Sequence, residues 1–307
     1  MALGHNDADP NTPAEAIDLD QVRRYAAFAE GGAGGNPAGV AVLGALPSAE
    51  TMLRMAAEIG YSETAFLAPM EAEKTDAWRI RYFAPEIEVP FCGHATIAAG
   101  AALGELFGSG VYALTLNEGA IDVEAQRDGG GAASAALRSP PTWARRAEPA
   151  LAGELRPLFG LSVADLAEEW PLSEAGAGAR HLFIPLASRE RLRALGPGGP
   201  LRYPFAPVKA LMEKGSITTI AFFWPETERL FHVRNAFAVG GVAEDPATGA
   251  AAAAFGALLR ELGRLPEDGR IEILQGADMG APSRIAIEAT LEKGASVRVS
   301  GAVRPLR

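Results

Sequence analysis

The chain has 307 residues, 48% of them hydrophobic, and a formal net charge of −10. That length supports two domains with real cores, and a negative chain without a lysine or arginine cluster interleaved with aromatics excludes a nucleic-acid partner. The single cysteine, Cys92, excludes an intramolecular disulfide framework and implies a reducing compartment. The start of the chain lacks the basic and apolar stretches of a signal peptide, and no window approaches the roughly 20 apolar residues of a membrane helix. A soluble, cytoplasmic protein without a membrane partner is expected.

Residues 1–17 have turn-forming composition and no periodicity, so a disordered tail is expected there. From Val22 the pattern is strand, running into a glycine-rich loop that ends at Asn36-Pro37-Ala38-Gly39. The loop matches neither a dinucleotide fingerprint nor a phosphate loop, since another strand follows it rather than a helix; Asn36 is equally suited to a plain turn and to facing a ligand. Ser48–Ile59 is expected to be a helix with Ser48 as N-cap and Gly60 as stop. The next strand carries Glu63 between Ser62 and Thr64. A carboxylate in a strand usually points to water, so sequence alone does not single it out.

Residues 91–107 read FCGHATIAAGAALGELF, and 244–260 read EDPATGAAAAAFGALLR. Setting Thr96 on Thr248 also matches Ala95 with Ala247, Gly104 with Gly256 and Leu106 with Leu258, which reads as an internal duplication. Both runs are apolar on every face, the mark of a helix surrounded by protein, and their small side chains let strands approach closely. The polar groups at the front are Cys92, Gly93, His94 and Thr96, then Glu244, Asp245 and Thr248. A helix N-terminus favours an anion, so two such ends facing one cleft would hold a carboxylate; the plain alternative is that these residues cap their helices.

The rest of the chain continues the pattern. Strands are expected at 111–116 and 120–126, with a glycine-rich connection near 127–134 and helices around 151–159 and 163–169. A helix over 188–195, a strand pair across 216–238 and three closing strands after 270 follow. The expected fold class is α+β, with sheets curled about a central helix in each half. The division is a first lobe at 18–128 with central helix 94–107 and a second at 129–307 with central helix 247–262, the last strand free to return to the first lobe.

For chemistry, Cys92 and His94 suggest a thiolate–imidazole pair, but residues two apart need not touch, and a lone buried cysteine is usually a small hydrophobe. A two-thiol racemase needs a second cysteine. His5, His94, His181 and His232 are scattered with no clustered ligand set, so no metal is expected. Acid/base work by Glu63, His94 and Asp245 remains.

The stretches Asn36-Pro37-Ala38-Gly39-Val40, Ser62-Glu63-Thr64-Ala65-Phe66, Cys92-Gly93-His94-Ala95-Thr96 and Glu244-Asp245-Pro246-Ala247-Thr248-Gly249 stand in the order and spacing of the PhzF-like phenazine-biosynthesis family, which this chain resembles from about Val22 onward. The resemblance implies a diaminopimelate epimerase-like fold: two lobes, each a mostly antiparallel, barrel-like sheet around a central helix. It also implies a cofactor-independent isomerase, commonly homodimeric. Glu63 would shuttle the proton, with His94 and Asp245 as polar partners. Asn36, Gly93, Gly249 and Ala250 would line the place for a small carboxylic-acid substrate. Two departures stand out: Ala250 replaces a family serine, and Ala281 replaces an arginine, with Arg284 displaced. They point to an acid other than the phenazine precursor. They also motivate the competing reading, a non-catalytic small-molecule-binding or scaffold protein of the same fold.

Overall fold

A computed structural model describes residues 19–71 and 74–307; the expected N-terminal tail lies outside them. The first half runs β1 (Val22–Ala27), β2 (Asn36–Val42), α1 (Ala49–Ile59), β3 (Thr64–Pro69), β4 (Ala77–Phe83), β5 (Glu88–Val89), α2 (Gly93–Phe107), β6 (Gly110–Thr115), β7 (Ala120–Arg127) and β8 (Ala133–Arg138). The second runs β9 (Thr142–Arg146), α3 (Pro149–Leu158), β10 (Ser173–Ala177), β11 (Arg180–Pro185), α4 (Arg189–Ala194), α5 (Phe205–Lys214), β12 (Thr219–Pro225), β13 (Leu230–Phe237), β14 (Val242–Asp245), α6 (Gly249–Glu261), β15 (Arg270–Gln275), β16 (Ser283–Glu288) and β17 (Arg298–Pro305).

The pairings close one barrel of eight strands in the order β1, β2, β3, β4, β6, β7, β8, β17 and back to β1. Within it β2–β3 and β4–β6 are parallel and the other pairs antiparallel. The second half repeats the scheme from β10 to β17, with β11–β12 and β13–β15 parallel. There β9 lies beside β10, and its Thr142 N–H reaches Gly294 O just ahead of β17. Strand β17 therefore serves both lobes. The fold is α+β of the diaminopimelate epimerase-like kind.

Each barrel is wrapped on one helix, and composition explains how. A Cβ added at Gly100 of α2 would stand 2.6 Å from Val123 Cγ2, and one at Gly104 would stand 2.8 Å from the Ala125 methyl, so the helix lies almost in contact with β7. In α6 one aromatic side chain is admitted: Phe255 packs against Phe183, Phe223 and Phe231 at centroid distances of 5.5, 5.0 and 4.8 Å.

Several expectations shift. The hairpin strand β8 pairs with β7 and β17 in the first barrel, so that lobe extends past residue 128 to Arg138. The central helices start at Gly93 and Gly249, the second one turn later than the match of Thr96 with Thr248 would place it. Thr96 thus lies inside its helix while Thr248 precedes its own. The helix expected at 163–169 is a single 3-10 turn, Val163–Asp165, closed by a reciprocal Ser162–Asp165 capping box. Helix α5 and strands β9 and β10 have no counterpart in the sequence reading.

Candidate active site

Glu63 stands immediately before β3 rather than inside it, because the chain is still leaving the left-handed Gly60 that ends α1. Its carbonyl accepts the Gly39 N–H at 3.2 Å, which pins the segment to β2. The side chain does not point to water: it is 15% exposed, and Oε2 is buried without a hydrogen-bond partner, 3.4 Å from His94 Nε2.

His94 is the second residue of α2 and is buried. Its Nε2 also lies 3.4 Å from Ser62 Oγ, and its Nδ1 lies 3.3 Å from Cys92 Sγ. Cys92 and His94 therefore do touch. Burial pushes the Cys92 thiol well above its ordinary range, and the nearby Glu63 charge adds to the rise. The sulfur is held as a thiol, which opposes the nucleophilic thiolate reading.

Asp245 ends β14 in the other lobe. Its Oδ1 accepts from Asn36 Nδ2 at 2.8 Å, its Oδ2 accepts from the Thr248 hydroxyl, and its carbonyl accepts from Gln275 Nε2 at 2.7 Å. Burial raises its pKa to about 6; His94 and the Thr248 and Asn36 hydrogen bonds oppose the rise, and the Glu63 charge adds to it. Asp245 thus senses both Glu63 and His94 across the lobe boundary.

Asn36 is tied to the second lobe through its amide nitrogen. Its Nδ2 donates to Asp245 Oδ1 and, at 3.0 Å, to Ala247 O, so the amide nitrogen joins the lobes. Glu244, the other acid of the second run, is outside the cluster. It forms a buried pair with Arg234 at 2.6 Å and accepts the Leu201 N–H, while Arg234 bonds the carbonyls of Gly196 and Gly199.

The two helix ends meet. A Cβ placed on Gly93 would lie 3.9 Å from Ala250 N and 4.0 Å from Gly249 Cα. Neither end has a side-chain cap: Thr96 bonds Cys92 O and Tyr82, and Thr248 bonds Asp245. Capping therefore does not explain their polar residues. Behind Gly249 sits the ring of Phe28, 3.3 Å from where a Cβ would stand. Phe28 is fully buried with a φ of 62°, a conformation costing a bulky residue about 1–3 kcal/mol.

Sequence reasoning passed over Ser62 as a neighbour of His94 and Gln275 as a support of Asp245; the adjacency of Ser62 to Glu63 was the available signal for the first. Arg284 does not restore the missing cation at Ala281, since it pairs with Glu30 at 2.9 Å and Glu272 at 2.7 Å. A separate groove on the outer faces of β7, β8 and β15–β17, lined by Glu124, Glu272, Arg284 and Arg298 among others, includes none of Glu63, His94 or Asp245.

A duplicated α+β fold in two lobes, with the starts of its central helices facing each other, defines the diaminopimelate epimerase-like class of fold. Within it, the chain belongs to the phenazine biosynthesis-like (PhzC-PhzF) family, whose model matches residues 25–305. It is 32% identical over 286 residues to an uncharacterized isomerase of Deinococcus radiodurans, covering 90% of each chain. It is 31% identical over 257 residues to the trans-2,3-dihydro-3-hydroxyanthranilate isomerase of Pseudomonas aeruginosa, covering 83% of this chain and 85% of that one. The crystal structure of a PhzF-family protein from Bacillus anthracis superposes with a TM-score of 0.80 at 21% identity, over 93% of this chain and 96% of that one.

Proposed function

We propose that the chain is an isomerase, as its relatives are named, and that it moves a proton within a small unsaturated or amino carboxylic acid without a cofactor. The observation that carries this reading is the desolvated Glu63 Oε2, 3.4 Å from His94 Nε2, close to the abutting starts of α2 and α6. In the reaction Glu63 takes a proton from an sp3 carbon, and the electron pair of that bond enters the adjacent π system. The double bond moves, and the same carboxyl returns the proton at the far carbon. The substrate carboxylate is held by the uncapped N–H groups of the two helix ends. His94 and Asp245 stabilise the charge that builds up. With Ala250 and Ala281 in place of hydrogen-bonding side chains, the substrate is a different acid from the one in the P. aeruginosa relative's name.

Incubation with candidate acids in heavy water, followed by mass spectrometry, tests the reading. Deuterium enters the product at one carbon with wild-type protein, and Glu63→Gln lowers the rate by at least about a hundredfold. Unchanged exchange in Glu63→Gln removes Glu63 as the base. The competing binding-protein reading is favoured by the commitment of Arg284 to Glu30 and Glu272; it expects an acid to bind equally to both proteins, with no turnover.

A further inference from the structure

We propose that Glu63, Cys92 and His94 together form a three-donor site for a zinc-class divalent cation. The sequence shows no clustered ligand set, yet the fold brings one donor atom from each of these residues within 4.8 Å of the others. Sγ lies 3.3 and 3.9 Å from the two imidazole nitrogens, and Glu63 Oε2 lies 3.4 Å from Nε2. Donors bound tetrahedrally at about 2.0–2.3 Å stand roughly 3.2–3.8 Å apart; with Nε2 as the imidazole donor, Oε2 at 3.4 Å is within that spacing and Sγ at 3.9 Å is just beyond it. Sulfur, imidazole and carboxylate are the donor types that zinc accepts.

Two features separate this cluster from a chance grouping of side chains. First, it is built on fixed backbone: the Cys92 carbonyl takes both the N–H and the hydroxyl of Thr96, and the Glu63 carbonyl takes the Gly39 N–H. Second, Glu63 Oε2 is buried without a hydrogen-bond donor, an arrangement that costs stability until a proton or cation satisfies it. The plain alternative is a proton-sharing network among the same three side chains, with the Cys92 sulfur 3.3 Å from His94 Nδ1; bound metal is the readout that tells the two apart. Three protein donors leave one tetrahedral position open, as in catalytic zinc sites, and water or a ligand carboxylate would fill it. A cation held there occupies the oxygen that would take the substrate proton. Inhibition by the cation, unlike binding, rests on the isomerase reading.

Titration of the metal-free full-length protein with Co2+, followed by absorbance and equilibrium dialysis, tests the proposal. Wild type is expected to take up one cobalt per chain with a thiolate-to-cobalt charge-transfer band, and Zn2+ to bleach it. Cys92→Ala loses the band and binds at least roughly tenfold more weakly, while Glu63→Gln keeps the band but also weakens. Melting curves without metal verify that each variant is folded; should Cys92→Ala not fold, Cys92→Ser takes its place. The proposal is overturned if folded wild type takes up no stoichiometric cobalt, or if removing the thiol changes neither band nor affinity. Because the readout is bound metal, uptake without turnover of any acid would count against the isomerase reading alone, and turnover without uptake against the metal site alone.

Discussion

The cost of seating Asp245 falls in a defined pH window. Its pKa rises from 3.8 to about 6 in the folded protein, mainly through burial, so the fold favours the protonated form. The stability this contributes is complete below about pH 4 and is lost as pH rises to about 6, an effect of roughly 3 kcal/mol at most. Asp245→Asn keeps an acceptor for Asn36 and removes the buried charge. Thermal melts of this variant should show a gain of about 1–3 kcal/mol over wild type at pH 8 and none at pH 4. Activity should move the other way: wild-type kcat/KM falls as pH drops through about 6 and Asp245 loses its charge, and Asp245→Asn flattens that limb. A melt difference independent of pH would show that Asp245 is not the buried titrating group. Glu244, one residue earlier, works structurally. Because it shares a buried pair with Arg234, Glu244→Gln should cost about 3–5 kcal/mol in denaturant titrations.

At the level of elements, the helices that organise the fold were the most readable part of the chain. An all-apolar run of alanine and glycine has few other uses than a thin enclosed helix, and the contacts of Gly100 and Gly104 with β7 give the reason. Gly100→Ala is therefore expected to destabilise by about 1–3 kcal/mol through overpacking against Val123, although alanine is the better helix former, as urea melts would reveal. Strand β10 was illegible for a physical reason: Ser173-Glu174-Ala175-Gly176-Ala177 holds no β-branched or aromatic residue and becomes a strand only because neighbours on both sides pair with it. Helix α5 hides behind Pro204 and Pro207. In the site, Glu63, His94 and Asp245 could be named from motifs. Their meeting could not be read, since Asn36 and Asp245 are 209 residues apart and touch only once the two lobes are packed together. Nor could the contact of Cys92 with His94, which depends on the backbone turning into α2 between them.

For the whole molecule, one strand decides the cooperativity. Because β17 pairs with β1 and β8 in one barrel and with β16 in the other, the lobes should not melt separately. Scanning calorimetry should record a single transition, whereas two resolved transitions would show that the shared strand does not couple them. By its resemblance to the family the chain is also expected to pair into a homodimer, which light scattering would register as twice the 32.0 kDa chain mass. The shared strand has a further consequence during synthesis. Strand β17 is made long after β1 in chain order, yet β1 waits for it to complete its barrel. Vectorial folding, in which an N-terminal domain matures while the remainder is still being translated, is denied to this protein. Its first barrel must stay an unclosed, edge-exposed intermediate until β17 has been made, with β1 and β8 left as unpaired edges where that strand will lie.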